Sequence, residues 1–130
     1  MALRLTALDH LVLSVSDKEK TVQFYTCLSM QHREFSPGRS ALFFGSQKIN
    51  LHTTEEAASP KAAQPHCRTA DFCLPSDPPM QDILNTLQHL SISVVLGPVV
   101  RSGAASKLHS IYINDPDGNL IEIAHQIDKV

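Results

Sequence analysis

Asn114-Asp115-Pro116-Asp117-Gly118-Asn119-Leu120-Ile121-Glu122-Ile123-Ala124-His125 is the stretch on which the fold turns. Pro116 presets φ for a turn, Gly118 can adopt φ > 0, and the Asp and Asn side chains can hold local backbone groups. A strand follows, because Leu120 to Ile123 are apolar at every position but one. That position is Glu122. Alternation puts it on the face of Leu120 and Ala124, with Ile121 and Ile123 on the other. A carboxylate within a buried strand is costly unless it is paired or bound to a metal. The plain alternative is a glutamate on a solvated sheet face.

Working outward, the second half of the chain reads as strand, helix and three strands. Thr69–Leu74 is the first strand. Asp77 is the expected N-cap of a helix with Pro78 at its first position. Met80, Ile83, Leu84, Leu87 and Leu90 form the apolar stripe of that helix. Strands over about Ser93–Val100, Leu108–Ile113 and Leu120–His125 complete the half, the first kinked at Gly97-Pro98 and followed by a flexible loop, Ser102 to Ser106.

The first half has the same order. Leu8–Val15 alternates as a strand, with His10, Val12 and Ser14 on one face and Leu11, Leu13 and Val15 on the other. Asp17 caps a helix to about Leu28, whose Val22, Tyr25 and Leu28, with Phe24 alongside, make the apolar face. Strands near Gln31–Phe35, Ala41–Phe44 and Lys48–Thr53 follow, separated by turns at Pro37-Gly38 and Gly45-Ser46. The repeat predicts an α+β fold: two βαβββ modules forming a curved mixed-sheet cup in a single 130-residue domain. Module one covers about 6–54, an Ala-rich linker about 55–66, and module two about 67–127. Leu11, Leu13, Ile49, Leu51, Phe72, Leu74, Ile121 and Ile123 are the expected core beneath the helices.

Four strands carry a ligand-type residue facing away from that core: His10, His52, Asp71 and Glu122. Each half contributes one from its first strand and one from its last. A lone histidine on a strand is usually structural, but four matching placements point to one divalent metal site. Two imidazoles and two carboxylates favour Ni, Zn, Mn, Co or Fe over calcium. His32, His66, His89, His109 and His125 have no such counterparts.

Composition narrows the classes. Hydrophobic residues at 42% and charged ones at 18% suit a globular domain. A net charge of −2 with scattered lysines predicts neither a nucleic-acid nor an anionic-membrane partner. Arg39, Arg101 and Lys107 read first as solvated surface charges, with contact to an anionic substrate as the alternative. No apolar run approaches the ~18 residues of a membrane span, and Asp9 and His10 interrupt the apolar start where a signal peptide needs an unbroken core. Cys27, Cys67 and Cys73 are odd in number and form no CxxC, which fits reduced thiols in the cytoplasm. Asp115-x-Asp117-x-Asn119 begins like a calcium loop, but Leu120 stands where that loop needs Gly and Gln126 where it needs Glu.

The strand Leu8 to Leu13, the repeat, and the closing Asp115-Pro116-Asp117-Gly118-Asn119-Leu120-Ile121-Glu122 resemble the vicinal oxygen chelate superfamily. That group holds glyoxalase I, fosfomycin-resistance transferases, extradiol dioxygenases and bleomycin-resistance proteins. The resemblance covers nearly the whole chain. It implies paired βαβββ modules, a homodimer, and a metal held at His10, His52 and Glu122 with a further ligand at Asp71. It departs at Asp71, where members with a well-defined site commonly place His or Gln. In glyoxalase I the metal-bound Glu is also the base, a catalytic role that falls on Glu122. The expected function is therefore a metal-dependent lyase or isomerase acting on a small substrate with adjacent oxygens, the metal serving as Lewis acid. Two alternatives stand beside it: a non-catalytic small-ligand binding protein of the bleomycin-resistance type, and an extradiol-type dioxygenase using a two-His, one-carboxylate set.

Overall fold

The computed structural model describes residues 2–53 and 60–129. The chain divides into two compact units, Met1–Arg68 and Thr69–Val130. Of the expected linker, residues 55–59 lie outside the described residues, and 60–66 form neither helix nor strand. Each unit runs strand, helix, strand, strand, strand, so the fold is α+β with two βαβββ modules.

In the first unit the elements are β1 (His10–Val15), α1 (Lys18–Cys27), β2 (Gln31–Ser36), β3 (Arg39–Phe44) and β4 (Gln47–Thr53). The sheet order is β1-β4-β3-β2. β1 lies parallel to β4 because α1, β2 and β3 intervene; the hairpins make the other pairs antiparallel. The β1 ladder begins two residues later than the alternation suggested, and Leu8 is exposed. Asp17 caps α1 as expected, accepting from the Lys20 N–H at 3.1 Å. The buried face of α1 is carried by Thr21 and Tyr25, while Val22, Phe24 and Leu28 are half-buried. Thr21 tolerates this burial because its hydroxyl donates to the Asp17 carbonyl at 3.0 Å. The apolar face of the sheet buries Leu13, Val15, Leu42, Ile49 and Leu51, with Leu11 half-buried.

In the second unit they are β5 (Asp71–Pro75), α2 (Met80–His89), β6 (Leu96–Ser102), β7 (Ser106–Asn114) and β8 (Leu120–Lys129), in the sheet order β5-β8-β7-β6. β5 and β8 are parallel and the other pairs antiparallel. The N-cap of α2 is Pro79, with no side-chain cap, rather than Asp77. Pro78 precedes a second proline, whose ring disfavours helical backbone at Pro78, so the helix starts two residues late. The stripe itself is as read: Met80, Ile83 and Leu87 are buried, Leu84 and Leu90 half-buried. β6 begins at Leu96, not Ser93, and its register with β7 shifts between Leu96 and Val99. Gly97 sits there at φ +110°, where a Cβ would come within 2.6 Å of the Ser110 carbonyl oxygen. Ile111, Ile113, Ile121 and Ile123 are buried on the apolar face, and Phe72 and Leu74 half-buried.

Candidate functional site

The loop between β7 and β8 is built around one carboxylate. Asp115 Oδ1 accepts from the backbone N–H groups of Asp117 at 2.9 Å and Asn119 at 3.0 Å. Its Oδ2 accepts from the Asn119 side-chain amide at 2.8 Å. Asn119 Oδ1 then accepts from the Ala70 N–H at 2.9 Å, and the Leu120 N–H donates to the Ala70 carbonyl at 3.0 Å. The motif thus ties the start of β8 to the residue just before β5. It sets Asp71 opposite Leu120 and Cys73 opposite Glu122.

Glu122 lies on the face turned away from the apolar layer, with Ser110, Tyr112, Cys73 and Ala124. Ser110 is fully buried, and its hydroxyl donates to Glu122 Oε2 at 2.6 Å, which fixes the carboxylate's rotamer. Cys73 is exposed as a residue, but its sulfur is partly desolvated and hydrogen-bonded to Glu122. Burial first, then the charge of Glu122 and that hydrogen bond, push its thiol up to about 11. Tyr112 stands directly across from Glu122 and accepts through its hydroxyl from Arg101 Nε at 3.1 Å. Arg101, expected to be a solvated surface charge, is therefore engaged with the ring and hydroxyl of Tyr112.

In the first unit, His10 is opposite Lys48, and its Nδ1 bonds Asp9 Oδ2 at 2.9 Å. His52 is opposite Ser14, four positions beyond the His10–Lys48 pair. At a rise of ~3.3 Å per residue that offset is about 13 Å, so both imidazoles would have to lie down along the sheet to share an ion. The Asp71–Glu122 offset is only two positions, about 7 Å, which two side chains span readily with an ion between them. By this register the residue matching Glu122 is Asn50, two positions past the partner of His10. The expected equivalence of His52 with Glu122 is thus corrected: His52 matches Ala124. Asn50 is 6% exposed, and its Oδ1 has no hydrogen-bond partner. Sequence reading passed over it because an amide is a weak ligand signal, although it shares the face of His10.

Among the described residues, no three His, Cys, Asp or Glu side chains gather into a group that could hold a metal ion. The structure places His10, Asn50 and His52 in one unit and Asp71 and Glu122 in the other. A cleft of about 470 Å³ opens on the opposite, helix-bearing side of the first sheet, lined by Lys18, Val22, His32, Glu34 and Ser40 among others, and holds none of the expected site residues.

Two βαβββ modules, each with its first and last strands parallel in a four-stranded sheet, match the glyoxalase-like class of folds. The chain belongs to the Glyoxalase/Bleomycin resistance protein/Dioxygenase superfamily, whose profile matches residues 7–123. It is similar to Virulence protein STM3117 of Salmonella typhimurium, 46% identical over 121 residues, which is 92% of this chain and 84% of that protein. The crystal structure of that protein superposes with a TM-score of 0.94, covering 96% of this chain and all (100%) of the other. Glyoxalase domain-containing protein RDO1 of Mycosarcoma maydis is 45% identical over 126 residues, 97% of this chain and 72% of that one. Lactoylglutathione lyase from Agrobacterium tumefaciens, at 20% identity and TM-score 0.69 over 93% of this chain and 94% of the other, shares the fold.

Proposed function

We propose that this chain is a metal-dependent lyase or isomerase of the glyoxalase type, acting on a small substrate with two adjacent oxygens. The observation that supports it is the matched offset of two polar pairs, His10 with Asn50 and Asp71 with Glu122, on the parallel strands of the two units. We infer that residues of these pairs are ligands to a divalent ion, Ni, Zn, Mn, Co or Fe. The donor chemistry fits such an ion: two carboxylates balance a 2+ charge, and the orphaned, buried Asn50 Oδ1 is an acceptor suited to a cation. His52 is the alternative fourth ligand. When bound, the ion polarises the adjacent oxygens as a Lewis acid. Glu122 is the general base, its Oε2 pinned by Ser110 so that the carboxylate meets the substrate in one orientation. Tyr112, across the ladder from Glu122 and oriented by Arg101, is positioned to donate a proton or hydrogen bond on the same face.

We infer a homodimer, since β1 and β5 are edge strands, and half-exposed Val12 lies on the first of them. A cytoplasmic setting is consistent with Cys27, Cys67 and Cys73 being free, and among the described residues no helix is long and apolar enough to cross a membrane. The stretches 43–52 and 60–63 also resemble vertebrate glyoxalase domain-containing protein 5, a narrower kinship proposed on those residues alone.

The test is thermal melting of chelator-stripped protein with each ion added in turn. A hundredfold excess over Kd stabilises by ~2.7 kcal/mol, a readily measured rise. His10→Ala and Glu122→Ala should abolish it, and Asp71→Ala should weaken it less. Asn50→Ala against His52→Ala decides the fourth ligand, with the larger loss expected at Asn50. If no ion moves the melting curve, the metal reading fails and ligand sequestration takes its place.

A further inference from the structure

The first unit's sheet has its own chemistry on the face away from α1. Arg33 (β2), Arg39 (β3) and Lys48 (β4) lie far apart in sequence, yet the register brings them around two aromatic rings. The Arg33 guanidinium is 4.7 Å from the Phe43 ring centroid, and that of Arg39 is 5.3 Å from Phe35. Lys48 Nζ is 4.1 Å from Phe35 and 5.8 Å from Phe43, so it stands at the centre of the cluster. All four distances are within the ~6 Å range of cation–π attraction.

Three cations gathered on one sheet face need an explanation in a chain whose net charge is −2. Among the described residues none of the three is ion-paired, and β1 to β4 place no Asp or Glu on this face. Glu34, the carboxylate of β2, lies on the other face and accepts from the Gly38 N–H at 2.7 Å. Stacking on the rings holds the cationic heads in place, which lowers the ordering cost of meeting a ligand. Two planar guanidiniums add bidentate geometry suited to carboxylate or phosphate oxygens. Phe35 remains 40% exposed beside them, an apolar surface left for a ligand body. Next along the face, Asn50 keeps its buried, unpartnered Oδ1.

We propose that this face binds a small organic anion: a carboxylate or phosphate group carried on an apolar or aromatic body. The inference deepens the glyoxalase-type reading by giving its substrate class. Its test is independent of metal, so either can fail alone. Phenyl phosphate, benzoate, inorganic phosphate and benzyl alcohol are titrated into chelator-stripped protein, with affinity read by calorimetry and the location by backbone amide shifts. Phenyl phosphate or benzoate should perturb β2, β3 and β4 and weaken several-fold between low and high salt. The tighter of the two assigns the headgroup. Inorganic phosphate and benzyl alcohol, each lacking half of the required chemistry, should bind roughly tenfold more weakly or worse. Lys48→Gln should lower the affinity by about tenfold while the metal-induced melting shift is retained. Equal binding of inorganic phosphate, equal binding of benzyl alcohol, or an unchanged Lys48→Gln variant would each overturn the proposal. So would absent binding together with a changed sedimentation coefficient for Lys48→Gln, which would make the face an interface between copies. If Lys48→Gln loses its folded circular-dichroism spectrum, the wild-type ligand series decides alone.

Discussion

In the first unit β1 runs beside β4 as β5 runs beside β8 in the second, yet the register position that holds Glu122 in one holds Asn50 in the other. Around Glu122 are donors, Ser110 and Cys73, with Tyr112 opposite. Around Asn50 the sheet carries Arg33, Arg39 and Lys48 stacked on Phe35 and Phe43. One backbone design therefore presents an acidic, hydrogen-bonded face in one unit and a cationic, aromatic face in the other. The joints differ as well. β3 and β4 are linked by the tight Gly45-Ser46 turn, whereas β7 and β8 are linked by a loop organised on the Asp115 carboxylate. The repeat specifies the scaffold, and the polar faces are free to diverge because their side chains do not enter the apolar layer.

The largest expected effect is in the helices. Leu87 is 2% exposed on α2, so Leu87→Ala should cost ~2–5 kcal/mol in urea denaturation. Val22→Ala on α1, at a half-buried position, should cost ~1 kcal/mol. A near-silent Leu87→Ala would remove the contrast between the two helices.

Next comes the loop. Asp115→Ala removes three hydrogen bonds to a buried carboxylate and should cost on the order of 3 kcal/mol. Amide exchange in β5 and β8 should speed up while β1 and β4 stay protected. Ser46→Ala in the corresponding turn of the first unit should stay within ~0.5 kcal/mol. Equal losses at the two joints would show that the loop does not fasten the second sheet by itself.

The smallest effect concerns Cys73. Its folded thiol is raised from an ordinary value of 9.0 to about 11, so the protonated form is favoured by folding. This contribution is fully present below pH 9, where neither state is ionised, and is lost as the pH rises from 9 through 11. Cys73→Ser should remove that alkaline loss. In intact protein near pH 9, iodoacetamide should modify exposed Cys27 on α1 before Cys73. Equal alkylation rates would mean that Glu122 does not restrain the thiol.

Much of the scaffold was legible because it is written in local periodicity. Alternation gave the strands, Asp17 marked the start of α1, and Met80, Ile83 and Leu87 marked the buried stripe of α2. Where the reading slipped, a local competitor won. Pro79 displaced the cap from Asp77, and the hydroxyl of Thr21, satisfied by the Asp17 carbonyl, let the buried face of α1 turn away from Val22. At the site, alternation told which face His10, His52, Asp71 and Glu122 occupy but not how far along neighbouring strands they stand.

By itself, then, the sequence determined the element order, the repeat and the sidedness of each strand, because these depend on neighbours two to four residues apart. The tertiary structure alone decided register, which depends on hydrogen-bond pairing between strands distant in the chain. Register puts Asn50 rather than His52 in the position of Glu122, joins Cys73 and Ser110 to that carboxylate, and collects Arg33, Arg39 and Lys48 onto two aromatic rings.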